Sequence, residues 1–201
     1  MLYNRLHMKL ILAQGNPGPE YALSRHNIGF MALDYLHEQQ KLVDFQPKSK
    51  FQALISELSA GDSKIILAKP TTFYNETGRS ARAIADFYKI ATNDILLIHD
   101  ELALDFGTIR VRNSGSDAGN KGVRSLISHI GPDFWRIRVG IKNDLTERIQ
   151  SADFVLAPFA QAEVAALNAS VLPSVQSMID QFLEGSLAVT SEKIVLQNTN
   201  G

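Results

Sequence analysis

The sequence predicts an α/β fold in a single domain, with a mixed, mostly parallel twisted sheet and helices on both faces. Three observations carry this. Short β-rich runs recur from residue 9 to residue 141, amphipathic helical periods lie between them, and two of the runs follow one another across a short turn.

The strand runs are KLILA (9–13), FQALISEL (51–58), KIILA (64–68), DILLIH (94–99), TIRVR (108–112) and RIRVGI (136–141). The Gly61-containing turn between the second and third makes them an antiparallel hairpin, so the sheet is mixed. Ile28, Met31, Ala32, Tyr35 and Leu36 follow the i, i+3, i+4, i+7 rule, as do Ala81, Ile84, Ala85 and Tyr88. A third helix opens after the glycines near Gly119 and stops at Gly131-Pro132, a length of about three turns. From Gln161, the residues Val164, Leu167, Val171, Val175, Met178, Ile179 and Phe182 trace another apolar face that ends at Glu184-Gly185. Pro173 is expected to kink or split it. One domain spans 1–201, with residues 1–7 peripheral and about 186–201 a loosely packed tail.

A chain of 201 residues, 45% hydrophobic and 20% charged, can bury a sizeable core and is far from disordered compositions. No apolar run approaches the roughly 18 to 20 residues that cross a bilayer, and the opening residues are too polar for a signal peptide. A cytoplasmic protein with no membrane partner is expected. The absence of cysteine excludes disulfides, thiolate nucleophiles and cysteine-ligated metals. A formal charge of -1 gives no bulk attraction to nucleic acid, so only a local basic patch could bind it.

Polar residues gather where strands end, the usual ligand edge of an open α/β sheet. They lie in GNPG, SRHNIG, TTFYNETG and HDEL. Asn16 follows the first strand in a turn-like Asn-Pro-Gly, and Asn75 precedes a helix that it could equally cap. His26 stands just before the first helical stripe, and Asp100 ends the most apolar strand. If the two meet, the carboxylate holds one imidazole nitrogen protonated and leaves the other as a base near neutral pH. His99 points to the opposite strand face by the two-residue alternation, so Asp100 is favoured for the pocket. His7, His37 and His129 have no companion ligands, and no metal site or cofactor is expected.

The loop Ser114–Gly122 matches neither G-x-x-x-x-G-K-[ST] nor G-x-G-x-x-G, which argues against ATP and NAD. It can still offer backbone N–H groups to a phosphate, with Lys121 and Arg124 adding charge. In TIRVR and RIRVGI the alternation places Arg110, Arg112, Arg136 and Arg138 on one face, opposite Ile109, Val111, Ile137 and Val139. An ordinary solvated face explains them equally well, but clustered cations repel, and a phosphodiester backbone would relieve that.

Taken in order, GNPGPEYALSRHNIGF, KPTTFYNETG, ILLIHDELALDFG, the glycine loop and RIRVGI closely resemble bacterial peptidyl-tRNA hydrolases over about Lys9 to Leu156, and DFVLAPF with the terminal helix fits the same layout. The resemblance implies a monomeric, cofactor-free α/β enzyme that hydrolyses the ester between a peptide and the terminal ribose of tRNA. On matching positions His26 would activate water, Asp100 would orient it, and Asn16 and Asn75 would complete the pocket. Tyr21 and Phe73 would contact substrate, while Arg110, Arg112 and Arg138 would hold the tRNA acceptor end. Two departures stand out: Tyr74 replaces the usual Met, and Asn120-Lys121 replaces the usual His-Asn, so that Lys121 would meet phosphate or peptide carbonyls differently. The competing readings are a non-catalytic RNA-binding module on the same scaffold and an esterase of small molecules.

Overall fold

The computed structural model describes residues 7–60 and 63–195. The elements in chain order are β1 (His7–Ala13), α1 (Ile28–Gln40), β2 (Gln46–Lys48), β3 (Ala53–Ala60), β4 (Ser63–Pro70), α2 (Thr77–Tyr88), β5 (Ile95–Asp105), β6 (Thr108–Arg112), α3 (Lys121–Ile130), β7 (Trp135–Lys142), α4 (Ser151–Leu156), α5 (Gln161–Ala166), α6 (Leu172–Glu184) and β8 (Thr190–Lys193).

All the described strands join one sheet in the order β2-β3-β4-β1-β5-β7-β6-β8. β1 lies parallel to β4 and β5, and β5 parallel to β7. The remaining neighbours are antiparallel, so among the described strands β3 and β6 alone run against the common direction. The sheet is mixed and mostly parallel, as the sequence predicts.

Strand alternation builds two cores. Ile11, Ala13, Leu96 and Ile98 pack with α1 and α6 on one face, while Leu10, Leu12, Ile95 and Leu97 pack with α2 and α3 on the other. Burial on both faces explains why the central runs are almost continuously apolar. Each such Leu or Ile contributes about 1.5–3 kcal/mol of transfer free energy. Gly29 decides how near α1 comes to the sheet: a Cβ there would stand 2.5 Å from the Ile98 carbonyl oxygen and 2.6 Å from that of Gln14. Without a side chain at that position, the start of α1 reaches the carboxyl end of β1 and the middle of β5.

The helix signals behave as their chemistry dictates. α3 begins behind Asn120, whose Oδ1 accepts from the Val123 N–H, and ends at Gly131 with φ 83°. The terminal helical stretch is interrupted by a π-helical turn, Leu167–Val171, and Pro173 lies in the first turn of α6.

Several elements have no sequence forecast. β2 and β8 are short, polar edge strands (QPK and TSEK) whose formation rests on backbone pairing with β3 and β6. Helix α4 is too short for a clear period, whereas α5 opens the helical stretch forecast from Gln161. Phe51, expected in a strand, sits in a 3₁₀ turn, Ser49–Phe51, and β3 begins at Ala53. The stretch from 186, expected to pack loosely, contains the buried Leu187 and the edge strand β8, while its last residues, 196–201, lie outside the described set. The same holds for residues 1–6 and for the Gly61 turn. No helix among the described residues is long and apolar enough to cross a membrane.

Candidate active site

The carboxyl end of β1 and the middle of β5 meet two short turns that precede helices. Asp100, expected to end its strand, lies inside β5, which continues to Asp105 because its pairing with β7 runs on past the end of β1. The 3₁₀ turn Arg25–Asn27 leads into α1 and carries His26, and the 3₁₀ turn Tyr74–Glu76 leads into α2 and carries Asn75. Asn27 locks the first turn onto the end of β1: its Oδ1 accepts from the Asn16 N–H at 2.8 Å, and its Nδ2 donates to the Asn16 carbonyl at 3.0 Å. Asn16 in turn holds the second turn, its Oδ1 accepting from the Tyr74 N–H at 2.9 Å. That assignment leaves Asn16 Nδ2 as a donor for the pocket.

His26 and Asp100 do meet. Nδ1 of His26 lies 2.9 Å from Oδ2 of Asp100, across 74 residues of chain. An ionised carboxylate can only accept, so Nδ1 carries the proton and Nε2 is the nitrogen left for water. Asp100 is 2% exposed. Burial pushes its carboxyl up, but the His26 charge and hydrogen bonds from His26 and Tyr74 outweigh this and hold it below the ordinary carboxylate value. The Tyr74 hydroxyl donates to the other oxygen, Oδ1, at 2.5 Å, and its ring stacks on the imidazole with centroids 3.9 Å apart and planes 15° from parallel.

His26, Asp100, Asn16, Asn75, Tyr21, Phe73 and Lys121 all line one pocket of about 770 Å³. Asn75 is exposed, and the N-cap of α2 is Glu76, so the capping alternative is not what Asn75 does. His99 faces the other side of the sheet, as the alternation predicts, with its Nδ1 2.7 Å from the Asp100 carbonyl oxygen and its Nε2 buried without a partner among the described residues.

The arginines lie apart from this lining. Arg110 pairs across the antiparallel ladder with Arg138, and Arg112 with Arg136. The protein itself relieves part of the repulsion. Arg138 donates to Glu101 Oε2 from Nε and Nη2 at 2.9 and 2.6 Å, and Arg136 is buried against the carbonyls of Gly115, Ser116 and Pro132. Arg110 and Arg112 stay half-buried at the β8 edge, bonded to Ser191 Oγ and the Thr190 carbonyl.

Sequence reasoning left out several pocket residues. Glu101 lines the pocket and joins it to Arg138. Leu102, Val155 and Leu156 form an apolar wall, the last two from α4. The DFVLAPF resemblance was the one available hint to that wall. Tyr74 was visible only as a departure from the family pattern.

An α/β sheet that brings an imidazole and a carboxylate together in an open pocket, beside two side-chain amides, has the arrangement of a hydrolase that draws its nucleophile from water. Residues 10–200 match the family model described as peptidyl-tRNA hydrolase. The peptidyl-tRNA hydrolase of Desulfitobacterium hafniense is 48% identical over 162 residues, covering 80% of this chain and 85% of that protein. That of Maricaulis maris is 38% identical, covering 93% and 92%. The crystal structure of peptidyl-tRNA hydrolase from Acinetobacter baumannii superposes with a TM-score of 0.80 at 31% identity, covering 90% of this chain and 91% of that one. The chain belongs to the peptidyl-tRNA hydrolase family, and with that membership it is an ester hydrolase of peptidyl-tRNA. The reading as a non-catalytic RNA-binding module is not favoured.

Proposed function

We propose that this chain cleaves the ester joining a peptide to the terminal ribose of tRNA through a water activated by His26. The observation that carries the proposal is the 2.9 Å contact between His26 Nδ1 and Asp100 Oδ2 in the pocket. Nε2 takes a proton from water as the oxygen attacks the ester carbonyl carbon. The imidazolium that forms is stabilised by the Asp100 carboxylate. The tetrahedral intermediate collapses by breaking the bond to the ribose oxygen, and the imidazolium returns its proton to that oxygen. The products are tRNA with a free hydroxyl and a peptide carboxylic acid, which releases its proton to solvent and leaves as the carboxylate.

The Asn16 and Asn75 amides donate to the developing oxyanion and to the peptide group next to the ester, which favours N-blocked over free aminoacyl esters. Tyr21 and Phe73 offer flat surfaces to the terminal adenine or the peptide, and Phe73 is 62% exposed and ready to stack. Lys121, exposed at the first residue of α3, meets phosphate or peptide carbonyls. Arg110, Arg112 and Arg138 hold the acceptor end, with Arg138 doing so while paired to Glu101. The protein acts as a monomer in the cytoplasm, a reading supported by the resemblance.

The test is release of tRNA from N-acetyl-aminoacyl-tRNA by the wild type and by His26→Ala. Loss of hydrolysis with retained tRNA binding is expected, and unchanged turnover would remove His26 from the mechanism. Equal rates on a small ester without the tRNA would favour an esterase of small molecules instead.

A further inference from the structure

We propose that Tyr74 is a positioning residue of the hydrolytic pair, its hydroxyl holding Asp100 while its ring carries the imidazole of His26. The proposal rests on the reading of His26 and Asp100 as the water-activating pair. Tyr74 is 3% exposed and engages three groups of the site at once: Asp100 through the hydroxyl, His26 through the ring face and Asn16 through its backbone N–H. Each oxygen of Asp100 thus has its own side-chain donor, Tyr74 on Oδ1 and His26 on Oδ2. With both oxygens committed, the carboxylate cannot rotate without losing a buried hydrogen bond, and the imidazole it orients is fixed with it.

The hydroxyl has its own orienting partner. Asn120 Nδ2 donates to Tyr74 Oη at 3.0 Å, which occupies a lone pair and directs the phenolic hydrogen toward Asp100. The other end of that amide caps α3, with Oδ1 accepting from the Val123 N–H at 3.0 Å. The first turn of α3 also packs against the ring, since a Cβ on Gly122 would stand 2.5 Å from Tyr74 Cε1. A chain of contacts therefore runs from α3 through Asn120 and Tyr74 to Asp100 and His26. Burial first, then the Asp100 charge, pushes the phenol well above its ordinary value, so it remains a donor throughout the working range. Both members of this brace stand where the sequence departs from the pattern it resembles. A hydroxyl and an amide at these two positions make a hydrogen-bonded link that methionine there could not donate.

The consequence is electrostatic as well as geometric. A donor on Oδ1 draws charge away from Oδ2. Without it the carboxylate favours the imidazolium more strongly, and the base is lost to protonation at a higher pH. The titratable groups bearing on Asp100 are His26 and Tyr74 from the two turns and His99 beside it on β5. Glu101, also on β5, carries Arg138 from β7, and Lys121 of α3 lines the same pocket. Tyr74→Phe changes none of these charges.

The experiment is the pH dependence of kcat and kcat/KM on N-acetyl-aminoacyl-tRNA for the wild type, Tyr74→Phe and Asn120→Ala, with tRNA affinity and folding measured alongside. Tyr74→Phe keeps the stack and removes the hydroxyl. It should move the acid limb upward by about half to one pH unit and lower kcat about tenfold, with KM and tRNA affinity unchanged. Asn120→Ala weakens the same donor and should move the limb in the same direction by less. An acid limb and kcat that match the wild type in folded Tyr74→Phe would overturn the proposal, as would an unmoved limb in Asn120→Ala should the phenylalanine variant not fold. Full activity in His26→Ala would instead overturn the underlying reading of the pair, so the two failures are distinguishable.

Discussion

Arg25 Nη2 donates to Glu163 Oε2 at 2.7 Å, linking the residue before His26 to the start of α5, with Arg25 2% exposed. The guanidinium also donates through Nη1 to the carbonyls of Pro158 and Ala157 at 2.6 and 3.2 Å, and lies over the rings of Phe154 and Phe159. Backbone bonds join the same two segments: the Arg25 N–H to the Ala157 carbonyl, and the Phe159 N–H to that of Leu23. The DFVLAPF segment is therefore the clamp that holds the turn bearing His26.

Breaking this clamp should cost stability and activity together. Arg25→Ala leaves Glu163 without its cationic partner and the Ala157 and Pro158 carbonyls without their side-chain donor. A loss of about 3–5 kcal/mol in urea denaturation is expected, together with a fall in kcat measured below the transition.

Asp100→Asn should abolish the base without removing the contact. An amide nitrogen facing Nδ1 favours the tautomer protonated at Nε2, which cannot accept a proton from water. The expected fall in kcat on N-acetyl-aminoacyl-tRNA is on the order of 10²–10⁴-fold with little change in KM. A drop below tenfold would mean that Asp100 does not set the tautomer.

His99 predicts an acid sensitivity of folding distinct from that of the pocket. Burial holds its imidazole below the ordinary value of 6.5, against the opposing charges of Asp100 and Glu101. The unfolded chain then takes up a proton before the native chain does, so stability declines as pH falls through 6.5. Asp100, held below the ordinary carboxyl value of 3.8, is stabilising above that value, and its contribution is lost as pH falls through its lowered native value. His99→Leu should flatten the urea-derived stability curve between about pH 7 and 5 while leaving the steeper loss at lower pH.

The arginine face predicts a salt dependence that the net charge of -1 does not. Arg110→Gln and Arg112→Gln should each weaken tRNA binding and reduce the slope of log K against log salt by about one where the side chain meets a phosphate. Arg138→Gln should also lower kcat, because it strips Glu101, 6% exposed in the pocket wall, of its partner. Slopes unchanged in both β6 variants would remove this face from the tRNA contact.

The legible parts of the molecule were those written in local chemistry. The apolar runs at 9–13 and 94–99 carry the central strands, Gly131 stops α3, and strand alternation separates His99 from Asp100. The ends of the apolar runs at 9–13, 64–68 and 94–99 also marked the segments of Asn16, Asn75 and Asp100, although the strand itself runs on past Asp100 to Asp105. The arginine cluster was legible as a shared face, but not its internal neutralisation, since Glu101 reaches Arg138 from a neighbouring strand.

By itself the sequence determined the α/β class, the main helices and strands, and the residue types available for chemistry, all of which follow from periodicities and turn preferences within a few residues. Tertiary structure alone decided that Tyr74 would stand between Asn120 and Asp100, that Arg25 would be clamped by the 157–159 segment, and that a polar tail strand would cover β6. Those contacts join residues far apart in the chain, and nothing local selects them. They form because each buried polar group must find a partner, and only the assembled fold determines which partner is within reach.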